Sequence, residues 1–151
     1  MKKTFTILIL TAFLSLNYFN ANAKVWRLNN SGANADFNNW TAAYNAASAN
    51  DTIYVESSAT SYGDVQLHKP LILIGTGYFL DQNPNTQYKN IWNASFAFVD
   101  FYTGSEGSKM YGFTIAGTVY IGVGDIVITK NKIDNINFYG TTTNFSNIVS
   151  S

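Results

Sequence analysis

The alternation of hydrophobic and polar residues is clearest between residues 112 and 133. Three short apolar triplets occur there, separated by Gly, Asp or Asn: Phe113 to Ile115, Val119 to Ile121 and Ile126 to Ile128. Each triplet is too short for a helix, and β-branched or aromatic runs bounded by turn residues are typical of strands. We expect the first and third residue of each triplet to face a core and the middle residue to point outward.

Two of these segments recur later in the chain. Residues 112–115 are echoed by 135–138, and residues 125–128 are echoed by 147–150, so both segments return after nearly the same interval. Two strand types that return at nearly one period indicate a unit stacked on copies of itself. The pattern therefore predicts parallel strands in a winding coil. The alternative is an antiparallel sandwich of short strands, although the loops lack the Asn-Gly and Asp-Gly pairs that close two-residue hairpins.

One helical stripe stands out near the start of the chain. Its apolar residues are spaced by 3, 4 and 3 positions and are Phe37, Trp40, Tyr44 and Ala47. Asp36 stands where an N-cap is expected, and Asn50 stands where a left-handed residue is wanted after the helix. We predict a helix over about 37–48 that covers the first strands. An aromatic stripe can also be a ligand platform, and burial is the simpler interpretation.

The same region carries a resemblance to a known family. Residues 37–55 run from an alanine-rich segment into Asn-Asp-Thr-Ile and a strand, and residues 69–75 read Lys-Pro-Leu-Ile-Leu-Ile-Gly. Both segments resemble the pectate-lyase-like right-handed parallel β-helix superfamily, as do residues 107–115 and 128–133. The chain departs from the family pattern at Asn50, where glycine is usual, and at residues 57–58, where Pro-Gly is usual.

The resemblance implies an all-β fold, a right-handed parallel β-helix (solenoid) of about three to four rungs with an N-terminal capping α-helix. Lyases of this superfamily bind acidic polysaccharide with calcium held by clustered carboxylates, and use an Arg or Lys as base. The nine carboxylates of this chain are scattered singly. Stacking of strands can still bring two of them together, and Asp100 with Asp125 is the acidic pair to check first. The sequence assigns no catalytic, cofactor or metal residue, so calcium follows only from the lyase alternative.

The first residues have the pattern of an export signal. Lys2 and Lys3 precede an apolar run from Phe5 to Leu16, and the small-x-small triplet of residues 21–23 follows. This pattern predicts a signal peptide over residues 1–23, cleavage before Lys24 and a secreted product that is extracellular or at the cell surface, with the periplasm as the alternative. Residues 24–151 then form one domain, and no stretch is long enough for a transmembrane helix.

Charge and cysteine content narrow the function classes. Loss of Lys2 and Lys3 leaves 7 of the 9 basic residues against 9 acidic residues, a formal charge of −2. Such a surface argues against a nucleic-acid partner, which requires a clustered basic face. The chain has no cysteine, so disulfides do not stabilise it. His68 alternates with Leu67 and is expected to face water.

Aromatic residues make up 16% of the chain and supply the candidate ligand site. Four tyrosines fall on predicted outward or turn positions: Tyr54, Tyr111, Tyr120 and Tyr139. Exposed tyrosine rings can stack on sugar rings while their hydroxyls form hydrogen bonds. The alternative interpretation is ordinary packing between rings on neighbouring strands.

Two functions from different classes remain open. The first is a secreted or cell-surface, non-catalytic module that binds extracellular polysaccharide or acts in adhesion. The second is a polysaccharide lyase or glycoside hydrolase-like enzyme, or the N-terminal fragment of one, acting on uronic-acid polysaccharide. The last predicted strand, at 147–149, has no cap behind it. We therefore expect either further rungs or end-to-end self-association at the C-terminal end.

Overall fold

Eleven strands and one helix form the part of the chain that the computed structural model describes, which is residues 23–32, 34–77, 92–140 and 148–150. The elements are β1 (Val25–Leu28), α1 (Trp40–Ala46), β2 (Thr52–Val55), β3 (Val65–Leu67), β4 (Ile72–Ile74), β5 (Ser95–Phe96), β6 (Val99–Phe101), β7 (Lys109–Tyr111), β8 (Thr114–Ile121), β9 (Val127–Thr129), β10 (Lys132–Phe138) and β11 (Ile148–Ser150).

The strands form two sheets. The first sheet has six strands in the order β1-β2-β4-β7-β9-β11, and the second has the order β10-β8-β6-β3, with β5 as its fifth strand beside β8. Every pairing between the described strands is parallel. The antiparallel sandwich is therefore wrong for this part of the chain.

The predicted solenoid is also wrong. The described residues form two small parallel sheets of unequal strand number and a short helix, and they do not form a closed coil of three to four equal rungs. Successive strands of the first sheet begin their pairing at Val25, Thr52, Ile72, Lys109, Val127 and Ile148. The interval from Ile72 to Lys109 is about twice the interval from Lys109 to Val127, so these separations contain no single period. The predicted repeat was a misinterpretation of local similarity.

The observed register shows where the repeat failed. Thr114 pairs with Lys132. The predicted repeat related residue 112 to residue 135, which is a longer separation along the chain. Val127 pairs with Ile148, whereas the predicted echo placed residue 127 opposite 149. Triplets of similar apolar residues specify which face is buried but only weakly specify the pairing partner, because connection lengths decide the offset.

The hydrophobic core follows the predicted alternation. The six residues expected to face inward are all buried: Phe113, Ile115, Val119, Ile121, Ile126 and Ile128. A single cluster of buried side chains contains residues of both sheets and of α1. Burial of large apolar side chains contributes roughly 1.5–3 kcal/mol each, so this cluster is the main source of stability in a chain without disulfides.

The helix is shorter than predicted and begins later. It spans Trp40–Ala46, and Asn39 is its N-cap, whose side-chain oxygen accepts a hydrogen bond of 2.9 Å from the backbone of Ala42. Asp36 instead accepts a hydrogen bond from the backbone of Arg27, which draws the preceding segment towards β1. The burial interpretation of the aromatic stripe is confirmed for Trp40, whose ring lies 5.5 Å from that of buried Phe96.

Between residues 96 and 101 the sequence leaves open whether Phe96 and Phe98 or Val99 and Phe101 face the core, and the structure buries one residue of the first pair and both of the second. Phe96, Val99 and Phe101 are all buried, because β5 ends at Phe96 and β6 begins only at Val99. The two intervening residues break the alternation. Beside them in β8, a Cβ on Gly117 would stand 2.7 Å from the carbonyl oxygen of Ala97, so the chains approach too closely there for a side chain.

Several predictions concern residues outside the described part. The predicted signal peptide lies there except for Ala23. The sequence also predicts a long loop from Tyr78 to Trp92 that covers Ile72 or Ile74, and all of this loop except Trp92 lies outside the described part. Residue 147 of the predicted last strand also lies outside, while residues 148–150 form β11. The helix found in the described residues is neither long nor apolar enough to span a membrane.

Candidate functional site

The outward side chains of the second sheet form two rows across its strands. In the first row, Gln66, Asp100, Tyr120 and Asn137 are neighbours in register. The second row lies two positions further along each strand and contains His68, Tyr102, Gly122 and Tyr139. We define the aromatic face as six residues of this surface: His68, Phe98, Asp100, Tyr102, Tyr120 and Tyr139.

The rings of the aromatic face contact one another across four strands. His68 and Tyr102 are stacked, with ring centroids 4.6 Å apart and planes inclined by 9°. Tyr139 lies edge-on to Tyr102 at 6.5 Å and to Tyr120 at 6.4 Å. Phe98 is edge-on to Tyr120 at 6.3 Å. Tyr120 and Tyr139 are therefore in contact with each other and with three rings that the sequence did not propose as ligand residues.

Asp100 lies at the centre of the aromatic face. It is buried, with 8% of its surface exposed, and its carboxylate accepts a hydrogen bond of 2.5 Å from the hydroxyl of Tyr139. A hydrogen bond with Asp100 raises the pKa of Tyr102, together with burial and the negative charge of Asp100. Burial raises the pKa of Tyr139, and Asp100 raises it further by its hydrogen bond and charge.

These pKa directions decide what the tyrosines can do. A tyrosine that acts as a general base needs a pKa lowered towards neutrality. Tyr102 and Tyr139 have raised values, so both hydroxyls stay protonated at neutral pH. They are hydrogen-bond donors and stacking surfaces, and they are unsuited to proton abstraction.

A glycine allows Tyr139 to reach Asp100. A Cβ placed on Gly122 would stand 2.8–2.9 Å from three atoms of the Tyr139 ring and hydroxyl. Real side chains do not approach so closely, so the ring of Tyr139 rests directly on the backbone that follows β8. The hydroxyl is thereby held against the carboxylate.

A groove lies beside the aromatic face, between α1 and β3. It has a volume of about 410 Å³ and shares His68 and Phe98 with the aromatic face. Its other lining residues are Trp40, Thr41, Tyr44, Asp64 and Gln66. The groove and the aromatic face are therefore continuous. Together they present aromatic rings, carboxylates and one amide side chain along a strip from α1 to β10.

The four tyrosines predicted from the sequence divide between the two sheets. Tyr120 and Tyr139 belong to the aromatic face. Tyr54 and Tyr111 lie in β2 and β7 of the first sheet, where Ile74 of β4 stands between them in register. Neither has a ring contact with another described aromatic residue. The first sheet therefore has single tyrosines and no cluster among its described residues.

The predicted acidic pair is split between two settings. Asp100 lies in β6, and its partners are tyrosines. Asp125 is exposed in the turn before β9, has a left-handed φ of 60°, and its carbonyl oxygen accepts a hydrogen bond from Gly107. No hydrogen bond joins the two among the described residues, and no group of three or more His, Asp or Glu suited to a metal ion occurs in that part of the chain.

Sequence reasoning missed His68, Phe98 and Tyr102 as members of the site. His68 was correctly predicted to be exposed, but its stacking partner could not be inferred because β3 and β6 are distant in sequence and become neighbours only through the sheet register. One signal was available. Tyr102 follows buried Phe101 as His68 follows buried Leu67, so both belong to the outward set once the two strands are aligned.

No protein-family model, curated protein or solved structure matches this chain. The predicted membership in the pectate-lyase-like superfamily therefore stays a prediction.

Proposed function

We propose that this protein is a secreted or cell-surface, non-catalytic carbohydrate-binding module, and that the aromatic face with its adjoining groove is the binding surface. The observation that carries the proposal is the ring cluster around Asp100, in which partly exposed tyrosines have their hydroxyls beside a buried carboxylate. Aromatic side chains offer a flat apolar surface and a polar tip, the combination that a sugar ring requires.

The dimensions favour a chain of sugars over a single one. The aromatic face crosses β3, β6, β8 and β10, which is three strand spacings or about 14 Å. The groove beside α1 extends the strip further. An oligosaccharide lying across the strands would contact several rings in turn, and each contact would add a small free energy.

The charges favour a neutral glycan. The aromatic face contains Asp100 and the groove contains Asp64, and neither contains an Arg or Lys. Lys69 is near the groove, but its ammonium group donates to the carbonyl oxygens of Tyr44 and Ala47. A uronic-acid polymer would meet carboxylates without a cation, which is a repulsive arrangement. This charge pattern is evidence against the lyase alternative.

The proposal is tested by measuring binding with matched variants. The protein is screened against immobilised neutral and uronic-acid polysaccharides, and the affinity for the best ligand is measured by calorimetry for Tyr120→Ala and for Tyr54→Ala. We expect Tyr120→Ala to weaken binding roughly tenfold, as the loss of one stacking contact does, and Tyr54→Ala to leave it unchanged. Absence of binding to any glycan, or equal losses in both variants, would contradict the proposal.

Catalysis is assayed in the same samples. Incubation with each polysaccharide should release no reducing ends and no unsaturated products. Appearance of either product, abolished by Asp100→Asn, would replace the binding function by an enzymatic one.

A further inference from the structure

The carboxylate of Asp51 is buried without a cationic partner in direct contact. Its residue is 4% exposed, and the carboxylate accepts three N–H groups: the backbone nitrogens of Lys24 and Ser48 at 2.8 and 2.9 Å, and the indole nitrogen of Trp26 at 3.0 Å. The ion pair found among the described residues is that of Arg27 on β1 with Glu56, just beyond the end of β2. All three direct contacts are dipoles, an unusual setting for a buried carboxylate because removing a charge from water is costly unless the charge is paired.

The backbone nitrogen of Lys24 is the group that can supply the missing charge. It lies 2.8 Å from Oδ1 of Asp51, the distance typical of a hydrogen bond between an ammonium group and a carboxylate. Residues 21–23 read Ala-Asn-Ala, the small-x-small pattern that export peptidases cut after. Ala23 and Lys24 are both exposed. Within an uncut chain this nitrogen is a neutral amide.

We propose that the chain is cut between Ala23 and Lys24, and that the new α-ammonium group of Lys24 then forms an ion pair with Asp51. The hydrolysis consumes one water. The bond between the carbonyl carbon of Ala23 and the nitrogen of Lys24 breaks, the carbon gains the water oxygen as a carboxylate, and the nitrogen becomes an ammonium group. The processing that releases the leader therefore also completes the electrostatic pairing of Asp51.

The contacts of Lys24 hold it in a defined position, as a new N-terminus that forms an ion pair requires. Its carbonyl oxygen accepts a hydrogen bond of 2.8 Å from Thr52, and its side-chain ammonium lies 3.3 Å from the ring centroid of Trp26. β1 is the edge strand of the first sheet and pairs only with β2 among the described strands. An ion pair at the residue before it would hold this edge in place against fraying.

Other charged groups near Asp51 are few. Beside β1, the side chain of Lys24 is close enough for its charge to help lower the pKa of Asp51. Arg27 on β1 is paired with Glu56 beyond the end of β2. Lys69, which follows β3, donates to the carbonyl oxygens of Tyr44 and Ala47 at the end of α1. Across the sheet, Lys109 of β7 is separated from β2 by β4.

The ion pair predicts two pH limits for the stability that processing adds. An α-ammonium paired with a carboxylate has a raised pKa, so its stabilisation is fully present below its unfolded value of about 7.7–8.0 and is lost as pH rises through the folded value. Burial alone raises the pKa of Asp51, but its hydrogen bonds from Lys24, Ser48 and Trp26 outweigh burial and lower it. That contribution is present above about pH 4 and is lost as pH falls through the folded value.

The test compares exported proteins that differ only at the processed end. The full chain is exported and processed in a bacterial host, beside a variant with Gly-Ser inserted between Ala23 and Lys24, so that processing leaves a neutral amide on Lys24. The first readout is the N-terminal residue by mass spectrometry. We expect Lys24 in the natural chain, and any other first residue would overturn the proposal.

The second readout is urea unfolding between pH 5 and 10. At pH 7 we expect the unfolding equilibrium constant of the Gly-Ser variant to be roughly tenfold larger than that of the natural chain, and the difference to vanish near pH 10. Asp51→Asn in both backgrounds should abolish the difference. If those variants do not fold, the pH dependence alone decides. Equal stabilities at pH 7, or a difference that persists at pH 10, would overturn the ion pair.

Discussion

The two sheets are both built from parallel strands, but the side chains on their outer faces differ in whether they contact one another. On the first sheet Tyr54 and Tyr111 lie in one row with Ile74 between them, without contact to another described ring. On the second sheet three tyrosines, His68 and Phe98 join around Asp100. Parallel strands with an apolar inner face are thus common to both sheets, and the interacting outward residues distinguish the second. The difference indicates that exposure alone does not define a site.

The largest expected effect separates inner from outer residues of the second sheet. Phe96 is fully buried and packs on Phe113 with ring centroids 5.0 Å apart. Phe96→Ala should lower the free energy of unfolding by about 3–5 kcal/mol, because it leaves a cavity in the core. Phe98→Ala, two positions away on the outward side, should cost about 1 kcal/mol. Urea unfolding measures both, and similar losses would contradict the assignment of the faces.

The next effect tests the centre of the aromatic face. Asp100→Ala removes the acceptor of the Tyr139 hydroxyl and should lower the free energy of unfolding by about 1–3 kcal/mol. Asp100→Asn keeps an oxygen acceptor and should lose less. The matched control is Asp125→Asn in the exposed turn, which should change stability by less than about 0.5 kcal/mol. Thermal unfolding of the three variants gives the comparison, and an equal loss at Asp125 would contradict a special role for Asp100.

A third prediction concerns alkaline pH. Because Tyr139 has a raised pKa in the folded protein, its contribution to stability is fully present below the unfolded value of about 10 and is lost as pH rises through the folded value. Stability should therefore fall above about pH 10. Tyr139→Phe should make this alkaline decline shallower. Unfolding midpoints between pH 8 and 11 show whether the slope depends on Tyr139.

The smallest expected effect is that of Gly122→Ala in the turn after β8, and Gly117→Ala in β8 is the variant to compare with it. Gly122→Ala would displace the flexible end of Tyr139, so we expect a stability loss below about 1 kcal/mol and weaker glycan binding. Gly117→Ala would meet the carbonyl oxygen of Ala97, which cannot move aside. It should destabilise the fold more and affect binding less. Reversal of this order, measured by unfolding and calorimetry, would contradict the close approach of Tyr139 to the sheet.

The sequence predicts which strand residues are buried, but it predicts few of the contacts among the outward residues. Alternation identified Phe113, Ile115 and their counterparts as core residues, since a strand must bury one face. It could not supply the strand pairing, because connections of unequal length separate the strands. The helix start was missed for a local reason. Asp36 and Asn39 are both good caps, and the hydrogen bond of Asp36 to Arg27 decides between them.

The site was predictable only in part for the same reason. Tyr120 and Tyr139 were found as outward tyrosines, but so were Tyr54 and Tyr111, and nothing local distinguishes the two pairs. The distinction depends on which strand lies beside which. Tyr102 and His68 are far apart in sequence and meet through a contact that register alone creates.

The most direct test of the central claim is an NMR titration of protein labelled at its tyrosine rings, with a neutral oligosaccharide taken from the glycan screen. We expect the ring signals of Tyr102, Tyr120 and Tyr139 to shift with a common affinity while those of Tyr54 and Tyr111 stay in place. Shifts at Tyr54 and Tyr111 with none at the other three would contradict the claim that the second sheet binds the glycan.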